Sequence, residues 1–77
     1  KLCADVGGGS TAAGAQVIQW PCTGAANQRW TATAVAGGYK LASQKSGLLL
    51  TTASTSDGAF VTQQPDTGSA LQRWVIG

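Results

Sequence analysis

Gln28-Arg29-Trp30 returns 44 residues later as Gln72-Arg73-Trp74. A single Gln-x-Trp carries little information, but two at a repeat-length spacing indicate a duplicated supersecondary unit. The flanks keep the same offset: Gly14-Ala15-Gln16-Val17 aligns with Gly58-Ala59-Phe60-Val61, and Pro21-Cys22-Thr23-Gly24 with Pro65-Asp66-Thr67-Gly68. Further upstream the copies slip by two residues, and Leu2-Cys3-Ala4-Asp5 stands against Leu48-Leu49-Leu50-Thr51. The first copy is expected to cover residues 1–36, truncated at its start, and the second residues 37–77.

A chain of 77 residues makes at most one small domain, and a domain of that size buries a modest fraction of its surface. Two cysteines, Cys3 and Cys22, offer help, and both fall in the first copy; Leu49 and Asp66 replace them in the second. An even cysteine count in a short chain favours an oxidised pair and a secreted setting. Closing that loop would stabilise the fold by roughly 3 kcal/mol. The alternative is a pair of free buried thiols. Metal binding is disfavoured, because the chain has no histidine and the two sulfurs have no further soft ligands near them. No cofactor is implied.

The net charge is +2, from five basic residues scattered among three aspartates. That scatter makes no nucleic-acid patch. No apolar run reaches the length of a membrane span. The abundance of Ala, Gly, Ser and Thr, with few charges, fits an extracellular module.

The pattern is all-β. Short apolar or alternating runs are punctuated by Gly, Ser, Asn and Asp turns. Strands are expected at residues 2–6, 16–20, 28–33, 39–43, 48–52, 60–64 and 73–76. Gly7-Gly8-Gly9-Ser10 and Ser54-Thr55-Ser56-Asp57-Gly58 read as turns at equivalent places, and Val35-Ala36-Gly37-Gly38 as the joint between copies. No window sustains a helical period.

Three motifs occur in a fixed order: Leu2-Cys3-Ala4-Asp5-Val6, then Val17-Ile18-Gln19-Trp20-Pro21-Cys22, then Asn27-Gln28-Arg29-Trp30. With them the chain resembles the ricin B-type lectin repeat, also called carbohydrate-binding module family 13, over nearly its whole length. The resemblance implies a β-trefoil, in which three such repeats close a barrel capped by hairpins; this chain would hold two of them. It also implies that Trp30 and Trp74 belong to the shared core, where a large buried ring contributes a few kcal/mol. Gln28 and Gln72 would satisfy polar groups beneath the loops.

Sugar recognition requires an aromatic face against the apolar side of a pyranose, and a carboxylate with amides for vicinal hydroxyls. The first copy has both. The resemblance assigns Trp20 as the platform, Asp5 as acceptor from two adjacent hydroxyls, Asn27 as a further donor and acceptor, and Gln28 as the partner that holds Asp5. Ile18 departs from the family, whose members often carry a sugar-contacting Gln there. Gln19 points to the opposite face of the strand and has no binding role. The competing readings are an ordinary buried ring for Trp20 and a turn-forming carboxylate for Asp5. In the second copy Thr51 replaces the Asp, Gln64 the aromatic and Leu71 the Asn, so that copy is expected to pack and not to bind. One shallow, weak site per chain results, of the kind that gains strength by multivalency.

Two repeats do not close a three-fold barrel. The chain is expected to be part of a longer one; the alternative is completion by other copies. The expected function is non-catalytic binding of galactose-type or xylose-type glycans, as a module of a secreted glycoside hydrolase. The competing function is a β-trefoil protein-interaction or protease-inhibitor domain. An enzyme is the weakest reading, since sugar hydrolysis usually needs two facing carboxylates and the three aspartates are spread along the chain.

Overall fold

Strand β1 (Leu2–Val6) pairs antiparallel with β2 (Val17–Pro21), from Leu2 against Pro21 to Val6 against Val17. This computed structural model describes residues 1–56 and 58–75. Directly opposed residues of an antiparallel pair share a face, and alternate residues along a strand return to it. Cys3, Asp5, Ile18 and Trp20 therefore lie on one face of the ribbon, and Leu2, Ala4, Val6, Val17 and Gln19 on the other.

The remaining strands form one antiparallel sheet in chain order: β3 (Trp30–Val35), β4 (Gly38–Ser43), β5 (Leu49–Thr52) and β6 (Val61–Gln64). The expected joint between copies is a tight hairpin turn, with Val35 paired to Gly38 and Gly37 at a φ of 87°. Gly38 is required by proximity as well: a Cβ there would lie 2.5 Å from the Trp74 carbonyl oxygen, whose residue bridges to Tyr39.

The duplication is visible in the pairing. Leu49 opposes Gln64 as Cys3 opposes Trp20, and Thr51 opposes Thr62 as Asp5 opposes Ile18. The two-residue slip is thus absorbed in the loop between the paired strands. The Gln16–Thr62 bridge stitches the copies together, and the Tyr39–Trp74 bridge ties the two ends of the second copy to each other.

Several expected boundaries move. Residues 26–28 and 70–72 are single turns of 3-10 helix, as are residues 7–9. Gln28 is therefore not a strand residue: its N–H donates to the Ala25 carbonyl at 2.9 Å, and β3 begins two residues later. The strand expected at 73–76 is reduced to the Trp74 bridge, and Ile76 lies outside the described residues. Asp57, expected in the turn before Gly58, also lies outside them.

Val6 and Leu49 are the fully enclosed apolar side chains among the described residues. Trp30 and Trp74, expected in the core, are half-buried, because two copies of the unit supply only part of a barrel wall. Each indole is nevertheless anchored in the same way. Trp30 Nε1 donates to the Ala4 carbonyl at 3.2 Å, and Trp74 Nε1 to the Leu50 carbonyl at 2.9 Å.

Cys3 and Cys22 form a disulfide with a Cα–Cα distance of 5.2 Å across a sequence separation of 19. In the second copy an exposed ion pair stands near the corresponding place, Lys40 Nζ to Asp66 Oδ2 at 3.1 Å. The Gly68 N–H at 3.0 Å, and then the Lys40 ammonium, hold the Asp66 carboxyl below its ordinary value. A carboxyl so lowered favours the folded state above the ordinary carboxylate range and loses that contribution as pH falls. The disulfide is the stronger of the two devices. Its reduction is expected to cost about 3 kcal/mol of stability through released chain entropy, measured by denaturant unfolding with and without reductant. An unchanged midpoint in protein shown to be reduced would refute that.

Candidate functional site

A cleft of about 370 Å³ opens on the Cys3–Asp5–Ile18–Trp20 face of the first copy. Its wall is the Trp20 ring, 53% exposed. Its floor is Asp5, only 7% exposed, with Ile18 between them. Strand alternation brings these three together and turns Gln19 away. The exposure of Trp20 and the partner of Asp5 set aside the competing readings of a buried ring and a turn carboxylate.

Gln28 fixes Asp5. Its Nε2 donates to Asp5 Oδ2 at 2.8 Å and to the Pro21 carbonyl at 3.0 Å. Its Oε1 accepts from the Thr23 N–H at 2.7 Å and from Thr23 Oγ1 at 3.3 Å. Every polar atom of this buried amide is used. One Asp5 oxygen is thereby committed. The other, Oδ1, receives no hydrogen bond from the described residues and is free to accept. The 3-10 turn at residues 26–28 makes this possible, because it places Gln28 inward and Asn27 on the cleft side. Asn27 Nδ2 donates to the Val6 carbonyl at 3.2 Å, which leaves its carbonyl oxygen and second N–H for a ligand. Asp5, Trp20, Asn27 and Gln28 are thus assembled at one place.

The second copy repeats the scaffold without the chemistry. Gln72 Nε2 donates to Thr51 Oγ1 at 3.2 Å and to the Pro65 carbonyl at 2.8 Å, and its Oε1 accepts from Thr67 N–H and Oγ1. Here a hydroxyl replaces the carboxylate, and Gln64 and Leu71 stand at the places of Trp20 and Asn27.

Sequence reasoning assigned no lining role to Gly8 and Gly9, which with Thr23 complete the rim of the cleft. It also gave no role to Gln63, which is 0% exposed. Gln63 Nε2 donates to the Ser10 and Ala12 carbonyls at 3.0 and 2.8 Å, and its Oε1 accepts from Ser46 Oγ at 2.8 Å. It thus ties a strand of the second copy to the loop behind the rim of the first. The aligned residue, Gln19, is exposed, so residue type alone carries no signal for the difference.

Among the described residues there is no cluster of three or more side chains able to hold a metal, and no helix is long and apolar enough to cross a membrane.

A family model described as "Ricin-type beta-trefoil lectin domain-like" matches residues 1–64. Among solved structures, a designed three-fold symmetric protein, ThreeFoil, is similar with a TM-score of 0.89 and 41% identity, over 95% of this chain and 54% of that one. The chain therefore spans about half the length of that protein. An exo-beta-1,3-galactanase from Clostridium thermocellum matches with a TM-score of 0.87 and 35% identity, over 94% of this chain and 16% of the enzyme. A Polyporus squamosus lectin, solved with the epitope Neu5Aca2-6Galb1-4GlcNAc, matches with a TM-score of 0.76 and 26% identity, over 94% of this chain and 26% of the lectin. A search of curated protein sequences finds no match.

Proposed function

The chain belongs to the ricin-type β-trefoil lectin-like domains, and we propose that it binds a glycan, without catalysis, through the cleft of its first copy. The observation that carries this reading is the Asp5 carboxylate. One of its oxygens is held by Gln28 at 2.8 Å, and the carboxylate lines the same cleft as the exposed Trp20. A pyranose stacked on Trp20 would direct two vicinal hydroxyls at Asp5, and Asn27 would complete the ring of polar contacts. Charge-assisted bonds of this kind are about twice as strong as neutral ones. They are also selective, because only hydroxyls at the right separation reach both the carboxylate and the amide.

Galactose-type sugars are the first choice of ligand and xylose-type sugars the second. Support for galactose comes from the galactan substrate named for the similar enzyme and the galactose within the epitope of the similar lectin. The small share of the galactanase that matches fits a chain that serves as a binding module beside a glycoside hydrolase. The disulfide fits a secreted setting.

Calorimetric titration with galactose, lactose and xylo-oligosaccharides tests the reading. Saturable heat at a stoichiometry near one is expected with at least one of them. Absence of heat with all three, in protein shown to be folded, would overturn it and turn attention to protein partners.

A further inference from the structure

Gly9, on the rim of the cleft, faces a cation from the other copy. A Cβ on Gly9 would lie 2.9 Å from Lys45 Nζ, so the ammonium rests against the backbone of the loop that lines the site. No carboxylate among the described residues pairs with it, whereas Lys40 is paired with Asp66.

Lys45 itself is exposed, but the turn between β4 and β5 that carries it is organised by Ser43 from a buried position. Ser43 Oγ accepts from the Lys45 N–H at 3.2 Å and from the Ser46 N–H at 3.4 Å, and the Ser43 carbonyl accepts from the Gly47 N–H at 2.8 Å. Ser46 then donates to Gln63, and Gln63 donates to Ser10 and Ala12, just beyond Gly9. A part-buried chain of hydrogen bonds thus ties the turn that carries Lys45 to the loop that lines the cleft.

We infer that Lys45 is a specificity-determining residue that favours glycans bearing an anionic substituent, a carboxylate or a sulfate, on the sugar held in the first-copy cleft. This rests on the proposed binding site and adds its substrate class. The electrostatics are directional. Asp5 on the floor repels a second anion placed near it, whereas Lys45 attracts one at the Gly9 rim. An acidic sugar is accepted only with its hydroxyls toward Asp5 and its charged group toward Lys45. The gain is that of a solvent-exposed ion pair, about two- to fivefold in affinity at low salt, and it shrinks as salt rises.

The test is calorimetry on the intact chain and on Lys45→Gln, with galactose, galacturonic acid and galactose 6-sulfate. Should xylo-oligosaccharide prove to be the ligand, its glucuronic acid-branched form serves as the acidic arm. In the unaltered chain one or both acidic sugars are expected to bind about two- to fivefold more tightly than galactose. The two acidic arms tell carboxylate from sulfate. In Lys45→Gln the ratio is expected to fall to about one, as it is in the unaltered chain at high salt. Equal affinity for acidic and neutral sugars in the unaltered chain would overturn the inference and leave the binding site standing. So would an acidic preference that survives in Lys45→Gln. Absence of binding by every sugar would overturn both.

Discussion

Asp5→Thr is expected to abolish measurable sugar binding while the chain stays folded. Threonine is the informative replacement because the protein already contains the result. At the equivalent place in the second copy, Thr51 Oγ1 accepts from Gln72 Nε2 at 3.2 Å, and the surrounding bonds of Gln72 match those of Gln28. Alanine would leave Gln28 Nε2 with the Pro21 carbonyl alone, and lost binding could then be charged to a loosened scaffold. Threonine keeps an acceptor for Gln28 and removes the second, charged oxygen. Loss of two charge-assisted bonds to vicinal hydroxyls costs at least about 3 kcal/mol. That is more than roughly a hundredfold in affinity, enough to carry a shallow site beyond the range of titration. Calorimetry gives the affinity, and denaturant unfolding of the same sample checks the fold. Undiminished affinity in folded Asp5→Thr would exclude the carboxylate from recognition.

The features that were legible in the sequence are those with a residue type to mark them. The Gln-x-Trp pairs announced the duplication, and Asp5, Trp20, Asn27 and Gln28 stood at recognisable places. Strand alternation sufficed to turn Gln19 away from the face of Ile18 and Trp20, whereas the register of the ribbon puts Asp5 on that face. Illegible were features set by backbone turns and by contacts between copies. Gln28 continues an extended-looking run in the sequence, yet it sits in a 3-10 turn, because only there can its amide meet Asp5, Thr23 and Pro21 at once. The expected burial of Trp30 and Trp74 assumed a closed barrel wall. Gly8 and Gly9 carry no side chain to announce that they line a cleft.

Gln63 is the clearest case of what residue type conceals, and the second large effect is expected there. Gln63→Leu conserves most of the side-chain volume but removes three part-buried hydrogen bonds, to the Ser10 and Ala12 carbonyls and from the Ser46 hydroxyl. Each lost bond costs on the order of 1 kcal/mol, so a total of about 3 kcal/mol is expected, part of it recovered by water at the loop edge. A chain of this length holds roughly 4–11 kcal/mol in all, so much of its stability depends on one neutral amide. Gln19→Leu is the internal comparison. It makes the same chemical change at the aligned position of the first copy, where the side chain is exposed, and is expected to shift stability by no more than about 0.5 kcal/mol. Denaturant midpoints of the two variants, measured side by side with the disulfide intact, decide the matter. Two small and similar shifts would mean that the loop finds its conformation without Gln63. A large shift confined to Gln63→Leu would identify the second copy as the support on which the first copy's cleft is built, which explains why a copy lacking the carboxylate and the aromatic platform still keeps its fold.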